Sequence, residues 1–367
     1  MSKQKNEKLT ISDIAKLSGV SKTTVSRFLH GKYEYMSLAT REKIGKLIEQ
    51  LGYRPSNIAQ SLKLKRSHLI GVVIADIESP FSSTLLKNAE QVLKSKSYSM
   101  IITNTNESYK NECEYLESLI VQGVDGIIVN TSSMNNPYLK DMVERNRLPI
   151  VLADRFVSGV DLDISFIDNE NPIFNAFNHL KKQGYGSIGL FVQPYENISA
   201  RFYRRESFKK QMAKYHIKQA DRYVFPIEVS DDRSAEKALR NFLTISKNET
   251  GKPPAIIAAN SVTLLSAAKA IHTFRLSVPQ EIGLCGYDDW GWLKNQGWMD
   301  IVFDGITTMH ASIENLASNI AHLMINRIAH PKDERRKISI PAPLTVRHST
   351  MLRETATSSQ QNRPGGQ

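Results

Sequence analysis

The stretch of sequence that decides the fold of the N-terminal region is residues 10–30, TISDIAKLSGVSKTTVSRFLH. In its first half, apolar side chains recur at helical spacing, at Ile11, Ile14, Ala15 and Leu17. Gly19 suits a turn, and Ser21 stands where the N-cap of a second helix belongs. Val25 and Leu29 provide the apolar anchors of that second helix. The pattern predicts a helix-turn-helix, in which the second helix lies in the major groove of DNA.

The exposed face of the second predicted helix carries short polar and basic side chains, at Lys22, Thr23, Ser26 and Arg27. Such side chains can contact base edges and phosphates in the major groove. An ordinary helical hairpin on a protein surface would have the same apolar spacing, and the charge distribution separates the two interpretations. Residues 1–66 carry fourteen Lys and Arg against five Asp and Glu, so they hold +9 of the net charge of +11. A basic head on a nearly neutral body indicates a nucleic-acid-binding protein.

A third helix and a short linker complete the basic head. Apolar residues line one face of a helix predicted over residues 39–51, which Gly52 ends and Pro55 keeps from continuing. Residues 57–62, NIAQSL, have only a marginal tendency to form a helix, and the polar run 63–67 follows them. We therefore expect three head helices, joined by a hinge to the rest of the chain.

From Leu69 onward, short apolar strands alternate with helices. The predicted strands are LIGVVIAD (69–76), SMIITNT (99–105), GIIVNT (126–131), PIVLAD (149–154), SIGLFV (187–192), YVFPIEV (223–229), PAIIAAN (254–260) and EIGLCGYDD (281–289). The predicted helices lie over 82–96, 111–122, 137–145, 172–183, 207–215, 235–243 and 262–272. This alternation predicts right-handed βαβ units and parallel sheets. Because the series has two similar halves, we expect an α/β core of two lobes, with a ligand cleft at the C-terminal ends of the strands.

No motif in the chain predicts catalysis or a bound cofactor. GYGSIG at 184–189 has the spacing of a dinucleotide-binding loop, but it follows a predicted helix and opens a strand, the reverse of that motif. We therefore expect no catalytic residue, no metal and no cofactor. Cys113 and Cys285 lie far apart and are expected to be reduced thiols. No secretory signal or membrane span is found, so we expect a cytoplasmic, nucleoid-associated protein without membrane contact.

Polar and aromatic residues follow several predicted strands, where the cleft is expected. The polar residues are Asp76, Asn104, Asp154, Arg155, Asn260, Asp288 and Asp289, and the aromatic residues are Phe81, Trp290 and Trp292. They suit hydrogen bonding to, and stacking on, a polyhydroxylated ligand, although Asp and Asn also cap turns and aromatic rings also fill cores. Arg201, Arg204 and Arg205 suit a carboxylate or a phosphate, or alternatively a solvated helix start.

With this head, linker and two-lobed core, the chain resembles the lactose/galactose repressor (LacI/GalR) family of bacterial transcriptional regulators. The resemblance runs from about Thr10 to Ser349 and is strongest in ISDIAKLSGVSKTTVSRFL, Thr40-Arg41 and LGYRPSNIAQSL. In the core it rests on SPF (79–81), VDGIIV (124–129), PIVLADR (149–155), IDNE (167–170), LCGYDD (284–289) and ITTMH (306–310). It implies a helix-turn-helix head, a hinge helix and a periplasmic-binding-protein-like core. It further implies a homodimer that binds palindromic double-stranded operator DNA under the control of a small-molecule effector.

The resemblance also implies roles for individual residues. The base-reading positions are Lys22, Thr23 and Arg27, and the phosphate or positioning contacts are Ser21, Thr24, Ser26, Ser37 and Tyr53. The hinge positions that enter the minor groove are Ala59 and Leu62. The effector-binding positions are Phe81, Asp154, Arg204, Asn260 and Asp288, with Trp290 beside them.

Domain boundaries are expected as follows. The head covers 1–56, the hinge 57–67, the core 68–349, and a disordered tail 350–367. The first lobe is expected over about 68–167 and 308–329, and the second lobe over about 168–307 and 330–349.

The expected function is sequence-specific repression of a carbohydrate or sugar-acid catabolic operon. GYDDWGW (286–292) resembles a subgroup associated with sugar-acid catabolism, of the 2-keto-3-deoxygluconate regulator type. His30, Ser261 and Ala311 depart from the family pattern, so the effector is given only as a sugar, a sugar acid or a related metabolite. Two other classes stay open on the sequence: a soluble sugar- or nucleotide-handling enzyme with a basic accessory head, and an architectural DNA-binding protein with an inert core.

Overall fold

The computed structural model describes residues 9–53, 66–145, 148–249, 251–287 and 298–352. The described residues up to Leu69, together with 123–125, form one compact unit, and the others form a second unit. Within these ranges, no helix combines the length and the apolar character needed to cross a membrane.

The first unit contains the predicted helix-turn-helix. Its helices are α1 (Ile11–Ser18), α2 (Lys22–Leu29) and α3 (Leu38–Leu51). Thr10 and Asp13 cap α1 reciprocally, since the Thr10 Oγ1 accepts from the Asp13 amide and the Asp13 carboxylate accepts from the Thr10 amide. Gly19 ends α1 at a φ of 69°, in the left-handed region where glycine is favoured. Ile14, Val25 and Ile44, one from each helix, are fully buried, so three short helices share one small core.

The second unit contains two sheets flanked by helices. Its strands are β1 (Leu69–Ile74), β2 (Ser99–Asn104), β3 (Gly126–Val129), β4 (Ile150–Ala153), β5 (Asp163–Ile167), β6 (Ile188–Val192), β7 (Val224–Pro226), β8 (Ala255–Ala258), β9 (Gly283–Tyr287), β10 (Thr307–Met309), β11 (Lys337–Ile340) and β12 (Leu344–Thr345). Its α-helices are α4 (Pro80–Ser95), α5 (Tyr109–Val121), α6 (Pro137–Glu144), α7 (Asn171–Lys182), α8 (Ser199–Lys214), α9 (Ser234–Glu249), α10 (Ser261–Thr273) and α11 (Ile313–Ala329). Short 3-10 helices cover Ala220–Tyr223, Trp298–Asp300, Val302–Asp304 and His348–Thr350.

Each sheet belongs to one lobe, and both follow from the apolar runs of the sequence. The strand order is β11-β5-β4-β3-β1-β2 in the first lobe and β12-β10-β9-β8-β6-β7 in the second. Central strands such as β3, β4 and β8 are buried along their whole length, as expected for parallel strands covered on both faces. The described pairings are parallel except that of β10 with β12. The predicted two-lobed α/β core is therefore confirmed.

The lobe boundaries near the C-terminus differ from those expected. β11 was assigned with 330–349 to the second lobe, but it pairs with β5 in the first. β10, placed at the start of the first-lobe segment 308–329, pairs with β9 in the second lobe, whereas α11 does pack on the first. The chain thus passes between the lobes three times, after β5, after β10 and after β11. β10 is only three residues long, and no helix lies between β11 and β12, so the alternation that located the other strands did not reveal β10 and β11.

The end of the ordered core also lies later than expected. Thr350, assigned to a disordered tail, is fully buried, and its Oγ1 is 2.7 Å from the Oγ1 of Thr307 and 2.8 Å from the Nε2 of His179. Burial lowers the pKa of His179 below its ordinary value, so the neutral ring is favoured at this contact. The tail from 353 onward lies outside the described residues.

Both cysteines carry free thiols, as predicted. Cys285 in β9 is fully buried, and burial raises the pKa of its thiol to about 12. Cys113 in α5 is half-buried, and burial is also the main cause of its raised pKa. Because the thiolate is the reactive form, neither residue has the environment of a nucleophile.

Candidate functional site

The outer face of α2 presents the three residues expected to read bases. Lys22, Thr23 and Arg27 are exposed, whereas Val25 on the opposite side is fully buried in the head core. Residues three and four positions apart share a helix face, so Thr23 and Arg27 lie together and Lys22 borders them. The burial of Val25 fixes which face of α2 is directed outward.

Several side chains predicted to contact the DNA phosphates are oriented by hydrogen bonds at the starts of the helices. The Ser21 Oγ accepts from the Thr24 amide at 3.1 Å, and the Ser37 Oγ accepts from the Thr40 amide at 3.2 Å. Ser21 and Ser37 are exposed, and Thr24 is half-buried, so each can also meet a phosphate. Ser26 is half-buried, and its carbonyl accepts from the His30 Nδ1 at 2.6 Å.

Tyr53 occupies a different environment from the other predicted backbone contacts. It is only 8% exposed and packs with Ile14, Ala15 and Val25 in the head core. Burial, and to a smaller extent the charge of Asp13, raises the pKa of its hydroxyl. This placement favours the positioning role of Tyr53 over a direct phosphate contact.

One exposed aromatic residue beside the reading face was not singled out from the sequence. Tyr35, in the loop after α2, is 82% exposed, and the Arg27 Cζ lies 5.6 Å from the centre of its ring. A guanidinium at that distance from a ring is held by a cation–π interaction. Tyr35 therefore orients Arg27. Tyr35 lies six positions after Leu29, the last residue of α2, and this closeness in sequence to the reading helix is the only signal that could have pointed to it.

Four of the predicted site residues lie outside the described residues. They are Ala59 and Leu62 of the hinge, and Asp288 and Trp290 after β9. Their roles stay predictions.

Two of the three arginines of α8 are buried, and the third pairs with an exposed carboxylate. Arg201 and Arg204 are 8% and 5% exposed, so the alternative of a solvated helix start is wrong for both. Arg205 instead contacts Asp221 at 2.6 Å, and the Asp221 side chain is largely exposed. The predicted helix began at Ser207, whereas α8 begins at Ser199 and carries all three arginines. Its buried face holds Arg201, Arg204 and Gln211, so the apolar periodicity that marks a helix start was missing.

Arg204 is the predicted effector contact whose geometry supports that role best. Its Nε donates to the Oδ1 of Asn169 at 2.9 Å, and its Nη1 donates to the carbonyl of Ala259 at 2.6 Å. Its Cζ lies 3.7 Å from the centre of the Tyr287 ring. Both acceptors are neutral, so among the described contacts no carboxylate balances this buried charge. A buried guanidinium of this kind suits an anionic group of a ligand.

The other described effector positions have structural partners as well. The Asp154 Oδ1 accepts from the Ile167 amide at 3.0 Å, which ties the end of β4 to β5. Asn260 caps α10, and its Nδ2 donates to the Oε1 of Gln193 at 2.6 Å. Phe81 is half-buried against the apolar core. Asp76 and Asn104 accept from the amides of neighbouring loop residues, so several strand-end side chains are indeed turn formers.

A cluster of two arginines and one glutamate joins the lobes beside Arg204. Glu107, after β2, receives two hydrogen bonds from Arg201, at 2.6 Å and 3.2 Å, and one from Arg155 at 3.1 Å. Burial raises the pKa of Glu107, but the two guanidiniums outweigh burial and hold it below its ordinary value. Burial and the charge of Arg155 lower the pKa of Arg201, although Glu107 opposes this. Glu107 was not predicted as a site residue, because it lies three residues beyond its strand.

Comparisons with known proteins decide the family. Residues 67–348 match the family model for periplasmic binding proteins and the sugar binding domain of the LacI family, and residues 10–56 match that for bacterial regulatory proteins of the lacI family. The chain belongs to the LacI family of bacterial regulatory proteins.

Individual relatives agree with this LacI-family assignment. The chain is 32% identical to the HTH-type transcriptional regulator KdgR of Bacillus subtilis (strain 168), covering 95% of this chain and 100% of that protein. It is 31% identical to the HTH-type transcriptional regulator PtxS of Pseudomonas plecoglossicida, covering 95% of this chain and 98% of that protein. Among solved structures, the lac repressor dimer bound to operator and the anti-inducer ONPF has a TM-score of 0.79, at 20% identity, over 94% of this chain and all of that one.

The family membership settles the class of function. This LacI-family chain is a DNA-binding transcriptional regulator with an effector-binding domain of the sugar-binding type, and it is not an enzyme. The enzymatic alternative that the sequence left open is therefore wrong.

Proposed function

We propose that this LacI-family protein represses a carbohydrate or sugar-acid catabolic operon in the cytoplasm, as a homodimer on a palindromic operator. The observation that carries the DNA-binding part is the outer face of α2, where Lys22, Thr23 and Arg27 are exposed above the buried anchor Val25. In our proposal these three side chains read bases in the major groove. The phosphate groups of the DNA backbone are contacted by Ser21, Thr24, Ser26 and Ser37. Ala59 and Leu62 enter the minor groove from a hinge that forms on the operator.

The effector in this proposal is a small sugar acid, bound in the cleft between the lobes. Its support is the buried Arg204, whose described acceptors are neutral, with Asn260, Asp154 and Phe81 at the same ends of the strands. A guanidinium binds a carboxylate through two parallel hydrogen bonds, which a neutral sugar cannot accept in the same way. Ligand binding then shifts the population of lobe arrangements and so changes operator affinity.

Replacing Arg27 with Ala tests the DNA-reading register. The operator is first selected from random duplexes with the wild-type protein, and binding is then measured by fluorescence anisotropy at fixed salt. We expect Arg27→Ala to lose about 1–3 kcal/mol on the selected duplex and to relax preference at one base position of each half-site.

Lys46→Ala, which changes an exposed residue of α3, is the matched control. Any effect of this change should be equal on selected and random duplexes, because it removes charge without removing a base reader. Unchanged discrimination in Arg27→Ala would show that α2 is placed in the wrong register.

A further inference from the structure

Glu107 joins the two lobes through an ion pair with defined geometry. Its carboxylate lies between Arg155, which follows β4 of the first lobe, and Arg201, which belongs to α8 of the second lobe. The bond to Arg155 therefore lies within one lobe, while the two bonds to Arg201 cross from one lobe to the other. Opening the cleft must break the pair with Arg201 and can leave the pair with Arg155 intact.

Each arginine is also held by a backbone carbonyl of its own lobe. The Arg201 Nη1 donates to the carbonyl of Pro194 at 3.2 Å, and the Arg155 Nη1 donates to the carbonyl of Thr131 at 3.0 Å. Thr131 is itself anchored, since its Oγ1 donates to the fully buried Glu112 at 2.8 Å. If Glu107 moved away, both guanidiniums would keep a partner that orients them. Arg155 and Arg201 would then form a site for one carboxylate, with one arginine from each lobe.

Glu107 is the most exposed member of the cluster. Its side chain is 34% exposed, against 10% for Arg201 and 13% for Arg155. Asn106 and Glu107 have φ angles of 52° and 55°, in the left-handed region that residues other than glycine rarely adopt. A solvent-accessible side chain on a loop of two such residues can leave its partners more readily than either buried arginine can.

We infer that Glu107 is a built-in carboxylate that holds the lobes together without ligand, and that the carboxylate of a small acid displaces it and takes its place between Arg155 and Arg201. This inference rests on the proposed function, in which such an acid enters the cleft beside Arg204. The exchange replaces one carboxylate by another, so it needs no change in protonation. It adds to the buried Arg204 two further guanidiniums for the acid, one from each lobe.

Two amides report on the contact between the lobes. The Met134 amide donates to the carbonyl of Asn197 at 2.6 Å, and the Phe156 amide donates to the Ser199 Oγ at 2.8 Å. The first bond joins a first-lobe loop to the residues just before α8, and the second joins such a loop to Ser199, the first residue of α8. Hydrogen exchange of peptides that contain these amides therefore measures opening of the cleft near Glu107.

The test is hydrogen exchange of the full-length protein with Glu107→Ala, in a buffer without carboxylates. We expect the two reporter peptides to exchange about tenfold faster than in the wild type, because a charge-assisted pair between the lobes is lost. An excess of sodium acetate should restore slow exchange in Glu107→Ala, since acetate fits the space left by the side chain. Sodium chloride at the same ionic strength should not.

Two further variants make the result specific. Glu107→Gln should also exchange faster, but acetate should not rescue it, because the amide still fills the site. Glu114→Ala, which removes an exposed carboxylate of α5 that pairs with Lys110, should behave as the wild type.

Each outcome decides one claim. Wild-type exchange rates in Glu107→Ala, or equal effects of acetate and chloride, overturn the inference whatever the natural effector is. If acetate rescues exchange while D-gluconate and the other sugar acids of a panel leave operator binding unchanged, the carboxylate site stands and the proposed effector class fails. If sugar acids alter operator binding but acetate does not rescue, the proposed function stands and the exchange at Glu107 is wrong.

Discussion

Replacing Arg327 with Met is expected to lower the free energy of unfolding of the two-lobed core by about 3–5 kcal/mol. Arg327 in α11 and Asp163 in β5 form a buried ion pair, with 2.6 Å between Nε and Oδ2 and 3.1 Å between Nη2 and Oδ1. The side chains are 3% and 2% exposed. Without this guanidinium, the buried Asp163 carboxylate would keep only the Arg336 amide at 2.9 Å and the more exposed Arg335, whose Nη1 lies 3.8 Å away. The cost of that poorly compensated charge is the main reason for the large effect.

The same guanidinium also organises the chain that leads into β11. It donates to the carbonyls of Pro331, Asp333 and Glu334, at 3.0, 2.7 and 3.0 Å. These carbonyls would lose their donor together with the carboxylate. Urea denaturation followed by circular dichroism measures the loss as a lower midpoint.

Lys337→Met is the control for the Arg327 variant. Lys337 pairs with Asp161 at 3.1 Å, and both side chains are more than half exposed, so its loss should cost at most about 1 kcal/mol. The double variant Arg327→Met with Asp163→Leu should recover part of the stability, because it removes the poorly compensated buried carboxylate. A midpoint for Arg327→Met equal to that of Lys337→Met would show that the ion pair is not a main support of the first lobe.

Replacing Arg204 with Met is expected to abolish the response to sugar acids and to leave operator binding without ligand within about twofold of the wild type. Methionine keeps most of the volume of the side chain, so packing against Tyr287 is largely retained. The charge-assisted hydrogen bonds to a ligand carboxylate are lost, and the affinity for the acid should fall about 10- to 100-fold. Calorimetry with D-gluconate and anisotropy with labelled operator measure the two properties separately.

Arg240→Met is the matched control for the Arg204 variant. Arg240 also lies over an aromatic ring, with its Cζ 5.1 Å from the centre of Phe274, but it is exposed on α9. This variant should keep both the affinity for the acid and the operator response. A full response in Arg204→Met would place the acid elsewhere in the cleft.

The head could be predicted from the sequence because its signals are local. The cap at Ser21, the turn at Gly19 and the apolar spacing around Val25 each act within a few residues, and the structure has all three. The third helix begins at Leu38, one residue before the predicted start. Eight of the twelve described strands were also predicted, most of them because a buried parallel strand is a continuous apolar run, whereas β5, β10, β11 and β12 were not predicted.

The cleft could be predicted only in part, because its geometry depends on residues distant in sequence. Arg201 was a candidate, but its partner Glu107 lies 94 positions away, and no spacing links them. The start of α8 was missed because arginines occupy its buried face, which apolar periodicity reads as exposed. Likewise β11 pairs with β5 across 170 or so residues, so its lobe cannot be read from the order of elements alone.

The most direct test of the central claim is the affinity of the wild-type protein for its selected operator, at fixed salt, with D-gluconate and related sugar acids and with the neutral D-glucitol. We expect at least one sugar acid to change the dissociation constant by about 5- to 150-fold, which corresponds to a coupling of about 1–3 kcal/mol, and D-glucitol to have no effect. Equal operator affinity with every sugar acid, or an equal response to D-glucitol, would contradict control by a carboxylate in the cleft.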